Sequence, residues 1–150
     1  MKKNIILALG SVVLVAGLGT LFTQLGMDWY ATLQKPSQWI ASFVFPIVWT
    51  LNYAIIAYIL WKLISKGQLD AKKIYLFLAN GVLNVLWCLV FFTLEQMFLG
   101  NILIVINTYF AFRLTLEIRK ENAIYGGLLT LYALWLSVAT TLNLAIWILN

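Results

Sequence analysis

The chain has no histidine among its 150 residues and one cysteine, Cys88, which stands inside an apolar run. A disulfide needs a second thiol and a structural zinc needs four nitrogen or sulfur ligands, so both are excluded and no metal site is expected. Carboxylates are almost as scarce. The five present, Asp28, Asp70, Glu95, Glu117 and Glu121, all lie at or just beyond the ends of apolar stretches. A proton-coupled transporter needs an ionisable group within the membrane, and a hydrolytic enzyme needs a base or nucleophile set; neither has its residues here. Basic residues outnumber acidic ones, but no basic groove pattern interleaved with aromatics accompanies them, so nucleic acid is not an expected partner.

What remains is apolar. Hydrophobic residues make up 63% of the chain, charged residues 10%, and the mean hydropathy is +0.94, against about 25% charged residues in soluble domains. Five stretches carry no Asp, Glu, Lys or Arg: Asn4 to Met27, Pro36 to Trp61, Ile74 to Leu94, Gln96 to Phe112 and Asn122 to Asn150. Crossing about 30 Å of hydrocarbon takes about 20 helical residues, and the fourth stretch reaches that length if Arg113 snorkels. The expected fold is an all-α membrane protein, a five-transmembrane-helix bundle forming one domain over 1–150. Its helices run over roughly 5–26, 45–65, 74–93, 98–118 and 123–148.

Once five spans alternate sides, the basic residues set the orientation. Lys2, Lys3, Lys62, Lys66, Lys72, Lys73, Arg113, Arg119 and Lys120 fall on one face, and only Lys35 falls on the other. The N-terminus is therefore expected in the cytoplasm of a bacterial inner membrane. The first apolar stretch exceeds the 7 to 15 residues of a signal-peptide core and reads as an uncleaved span.

Only two prolines punctuate the chain, Pro36 and Pro46, and they flank the longest loop, Ser37 to Phe45. Pro36 keeps Lys35 extended, while Pro46 suits the first turn of a helix that starts near Phe45. Trp39, Ile40, Phe43, Val44 and Phe45 are too apolar for a solvated loop, so this segment is expected to fold over the helix ends as a lid. The other connections are short and imply antiparallel neighbours. Glu117, four residues after Arg113, reads as a surface pair with it.

Aromatic residues are abundant: seven Trp, seven Tyr and nine Phe. Trp29, Tyr30, Trp61, Tyr125 and Trp147 lie near span ends, as an interfacial belt requires. Trp49, Trp87 and Trp135 lie deeper, one on each of three helices. Helical spacing aligns Trp49 with Tyr53, Asn84 with Trp87 and Phe91, and Trp135 with Ala139 and Asn143. A deep asparagine either joins helices or offers its amide to a ligand, and both roles stay open for Asn84 and Asn143. If the three helices converge, they form a pocket with flat aromatic walls, suited to a large planar apolar molecule.

Three separated motifs in this chain are similar to those of the translocator protein or TspO family, also called tryptophan-rich sensory proteins. Trp29, Tyr30, Leu33, Lys35 and Pro36, followed by Phe45, Pro46 and Trp49, resemble the first. Asn84, Trp87, Phe91 and Phe92 resemble the second, and Tyr132, Trp135, Ala139, Thr140, Leu142 and Asn143 the third. Two departures stand out: Ile40, Ala41 and Phe43 occupy a loop where the family has prolines and a tryptophan, and Leu131 replaces a proline before Tyr132. Leu144 and Ile148 stand where animal members carry their cholesterol motif.

The resemblance implies a homodimeric five-helix bundle in the lipid bilayer. Its pocket would take a tetrapyrrole, protoporphyrin IX or haem, as a non-covalent ligand and would serve carriage, buffering or stress sensing. Carried over residue by residue, the resemblance gives Tyr30, Trp49, Asn84, Trp87, Trp135, Ala139 and Asn143 as ligand-binding residues under a loop around Pro36, with Trp49 and Trp135 stacking on the macrocycle, and helical spacing adds Tyr53 and Phe91 to the set. Gly10, Gly17, Ala79 and Gly126 are small enough for close helix contact. Light-dependent porphyrin breakdown, with Trp49 and Trp135 as electron-exchanging residues, and a scaffold or regulatory role are the alternatives.

Overall fold

The computed structural model describes residues 2–37 and 40–150; Trp39, one of the apolar loop residues above, lies outside them. Five helices are long and apolar enough to cross a membrane: α1 (Lys2–Leu25), α3 (Val44–Ser65), α4 (Ala71–Cys88, prolonged to Thr93), α5 (Met97–Glu121) and α6 (Ala123–Leu149). A short α2 (Met27–Thr32) follows α1. The protein is thus a multi-pass helical membrane protein. Its outer surface fits lipid, with Leu7, Val13, Leu78, Ile124 and Ile148 all facing outward.

Local chemistry sets where the helices stop. Asp70 caps α4, its side chain accepting from the Lys73 amide, so that helix starts a turn earlier than Ile74. Asn122 ends α5 and caps α6, accepting from the Tyr125 amide at 3.0 Å. In the first turn of α6 Gly126 is obligatory, because a methyl group there would overlap Arg119 of α5, both its Cβ and its Cα. This small residue therefore serves the close α5–α6 turn. Pro46 stands in the first turn of α3, where its missing donor costs nothing.

Two features were not expected. Gly26 breaks the first helix, and α2 carries Trp29 and Tyr30 back over the bundle; the connection to α3 consequently starts at Leu33 rather than directly after the first span. Gly26 touches the backbone of Phe92 so closely that any side chain would overlap its carbonyl oxygen. The second feature is a π-helical turn at Leu89–Thr93, closed by the Leu94 amide on the Leu89 carbonyl at 2.9 Å. The Thr93 hydroxyl ties that turn to α1 through the Phe22 carbonyl at 2.7 Å.

The helices form a ring in the order α1, α3, α6, α5, α4. Between α4, α5 and α6 lies a buried polar knot: Tyr132 donates to Asn80 Oδ1 at 2.8 Å, and Asn80 Nδ2 donates to Asn107 Oδ1 at 2.6 Å. Interhelical bonds of this kind contribute about 0.6 kcal/mol each on average in a bilayer.

One end of the ring is tied by ions. Lys73, 2% exposed, meets both Asp70 and Glu121 and also donates to the Gln68 carbonyl. Glu117 pairs with Lys72 at 2.7 Å and Lys120 at 3.0 Å. The expected Arg113–Glu117 pair does not form. Arg113 turns back one turn to the Tyr109 hydroxyl, while Lys72 reaches Glu117 from the neighbouring helix.

Candidate functional site: an aromatic cavity beneath the first connection

At the opposite end, α1, α3, α4 and α6 stand apart around a cavity of about 870 Å³, inside the range of about 300–1,000 Å³ typical of small-molecule sites. Four helices build its walls and α5 buttresses them from behind. α1 contributes Ala16, Gly19, Thr20, Thr23 and Gln24, small or neutral polar residues at helical spacing. α6 contributes Ala139, Leu142, Asn143 and Ile146, again a single stripe. The mouth is edged by Met27, Tyr30 and Ala31 of α2 and by Lys35, Ile40, Ala41 and Ser42 of the connection.

The flat part of the wall is a pair of stacked indoles. The Trp49 and Trp87 ring centroids are 6.1 Å apart at 27°, and Tyr53 extends the surface, 5.6 Å from Trp49. Asn84 does two things at once. Its Oδ1 accepts from the Tyr53 hydroxyl at 3.2 Å, joining α3 to α4, while its Nδ2 has no partner. Trp87 Nε1 and Asn143 Nδ2 are likewise buried donors without acceptors. Three unpartnered donors on one cavity lining suit a ligand bearing acceptor atoms, because a buried polar group left unpaired is costly. At the mouth, burial raises the Tyr30 phenol above its ordinary pKa, so it remains a neutral donor at physiological pH.

Of the ten residues expected at the site, Tyr30, Trp49, Tyr53, Asn84, Trp87, Ala139 and Asn143 line the cavity. Pro36, Phe91 and Trp135 do not. Pro36 is half-buried beside the mouth, and its neighbour Lys35 reaches the lining instead. Phe91 is fully buried behind the wall, its ring 5.9 Å edge-on to Trp29 and 5.0 Å from Phe92. The cause is the π turn: with i to i+5 bonding, one additional residue enters the turn, and Phe92 takes the wall position that regular helical spacing assigns to Phe91. Trp135 lies edge-on to Phe45 at 5.5 Å, and Phe45 presents its ring to the cavity. The indole pair on the wall is therefore Trp49 with Trp87, not Trp49 with Trp135.

The α1 stripe and Cys88 escaped sequence reasoning, while Phe45 and Phe92 were read only as a loop residue and a motif residue and not as cavity lining. The run of small and neutral polar residues from Ala16 to Gln24 was the available clue on α1. Among the described residues no group of three or more His, Cys, Asp or Glu side chains comes together as a metal site.

A ring of five spanning helices enclosing an aromatic-walled cavity at one end defines the class: a multi-pass helical membrane protein with an internal chamber. The chain belongs to the TspO/MBR family, whose model matches residues 7–148. It is 30% identical to the tryptophan-rich protein TspO of Chlorobaculum tepidum, covering 100% of this chain and 99% of that protein. The tryptophan-rich protein TspO of Archaeoglobus fulgidus is also 30% identical, over 98% of this chain and 99% of its own length. The human translocator protein is 31% identical over 81% of this chain and 75% of its own length.

Proposed function

We propose that the protein binds a tetrapyrrole, protoporphyrin IX or haem, in this cavity and holds it for carriage, buffering or stress sensing. The observation that carries the reading is the stacked Trp49–Trp87 surface in an 870 Å³ chamber beside the unpartnered donors of Asn84, Trp87 and Asn143. A macrocycle offers large flat faces to the indoles and acceptor groups to the amides. Carriage without pumping fits the carboxylates, all of which sit at helix ends, in α2 or in connections.

The basic residues support a cytoplasmic N-terminus in a bacterial inner membrane, with the cavity mouth on the far side, where Lys35 is the lone cation. The connection from Leu33 to Phe43 is the lid in this reading, since Ile40, Ala41 and Ser42 edge the mouth. A homodimer is part of the proposal: Gly10 and Gly17 on α1 have open space where a side chain would stand, which leaves room for a second copy.

Titration of the purified protein in detergent with protoporphyrin IX in the dark, followed by quenching of tryptophan fluorescence, tests the reading. Saturable binding that weakens in Asn84→Ala and Trp49→Phe is the expected result. Linear quenching that ignores both substitutions would mean partition into micelles and would return a scaffold role to the front.

A further inference from the structure

The cavity lining contains one formally charged side chain, Lys35, and it stands at the mouth. Its ammonium lies 4.7 Å from the centroid of the Tyr30 ring. Every ion pair among the described residues involves Lys72, Lys73 or Lys120 at the other end of the bundle, so Lys35 has no carboxylate partner. A lysine on a mobile loop would be an unremarked surface charge, but this one is held on both sides. Pro36 follows it and restricts its backbone. Gln34 precedes it and is clasped by the Asn150 side chain, whose Oδ1 accepts from the Gln34 amide at 2.9 Å and whose Nδ2 donates to the Gln34 carbonyl at 3.0 Å.

The two ends of the cavity therefore differ in what they accept. The deep donors, Asn84 Nδ2 and Asn143 Nδ2, are neutral and sit among apolar rings, where an anion would lose its hydration without meeting a counter-charge. At the mouth an anion meets a cation that keeps part of its hydration, next to the Tyr30 ring. We infer that Lys35 selects ligands carrying a carboxylate on one edge and fixes their orientation, carboxylate at the mouth and apolar body between the indoles. The assignment rests on the tetrapyrrole reading and refines it: the ligand class is a planar apolar carboxylic acid, and its neutral esters are discriminated against.

The test compares protoporphyrin IX, which carries two carboxylates on one edge, with its neutral dimethyl ester. Both are titrated in the dark in non-ionic detergent against the wild type, Lys35→Gln and Lys35→Arg. The wild type is expected to bind the diacid about fivefold more tightly than the ester, the upper end for a partly exposed ion pair. Lys35→Gln should lose that preference while holding the ester within twofold of wild type, and Lys35→Arg should retain it. Raising the salt concentration should weaken diacid binding alone. Saturable binding of both porphyrins with no wild-type preference, or an equal loss of both in Lys35→Gln, would overturn the assignment while leaving the tetrapyrrole reading standing. Saturable binding of neither would overturn both.

Discussion

The two ends of the bundle solve opposite problems with the same residue types. At the end where α3 meets α4, the carboxylates are used up: Asp70 and Glu121 both meet the buried Lys73, and Glu117 is shared by Lys72 and Lys120. At the end where α1 meets α3, polar groups are left open: Lys35 has no acid, and the amides of Asn84 and Asn143 have no acceptor. A closed end that pairs its carboxylates across α4 and α5 ties those helices together. An open end that leaves them unsatisfied is prepared for a molecule from outside. Stability and binding should accordingly be separable by position.

The largest effect should come from Gly26→Ala, where the two demands meet. The new methyl group would strike the Phe92 carbonyl and displace α2 with Tyr30. Overpacking of this kind costs about 1–3 kcal/mol, so both the thermal midpoint in detergent and porphyrin affinity should fall. A variant that kept full affinity would show that α2 does not position the mouth.

Lys73→Met attacks the closed end. It removes a cation that meets two carboxylates and the Gln68 carbonyl, worth about 1–3 kcal/mol for charged hydrogen bonds with solvated partners. The melting midpoint should drop while affinity stays within twofold. If affinity fell in step, the ends would be coupled.

Asn84→Leu is the reverse experiment. It removes the cavity donor together with the Tyr53 link, and affinity should weaken about tenfold, or about 1.4 kcal/mol. The midpoint should move by less than in Lys73→Met, since interhelical bonds in bilayers average about 0.6 kcal/mol.

Asp70→Asn should have the smallest effect, and one that depends on pH. The hydrogen bond from the Lys73 side chain, helped by the Lys73 amide, holds the Asp70 carboxyl below its ordinary pKa. A carboxyl whose folded pKa is depressed adds stability above its unfolded pKa and loses it as pH falls through the folded value. The midpoint gap between wild type and variant should therefore be open at pH 7, begin to narrow as the pH falls below about 4, and close only below the depressed folded pKa. A gap that persisted there would mean capping rather than charge is responsible; asparagine caps nearly as well.

Much of this architecture was legible in residues alone. Five charge-free runs fixed the number of spans, because no helix tolerates several charges in hydrocarbon at about 2.5–3.5 kcal/mol each. Trp49, Tyr53, Asn84 and Asn143 were readable as cavity residues because a regular helix repeats its face every three to four positions. Phe91 and Trp135 were placed on the wall by the same rule and stand off it. The rule assumes unbroken α geometry, which the π turn at Leu89–Thr93 violates, and it cannot see that Phe45 from another helix covers Trp135.

Composition and periodicity thus determined that this chain lives in lipid, how many times it crosses, and which helices carry deep aromatics. Those properties depend on the residues of one segment and its solvent. Only the tertiary structure decided that α1 supplies a wall, that Asn80, Asn107 and Tyr132 knot together away from the cavity while Asn84 and Asn143 turn unpartnered donors onto its lining, and that Lys35 is the one charged side chain there. Whether a polar group is satisfied depends on what a neighbouring helix brings to it, and no single segment contains that information.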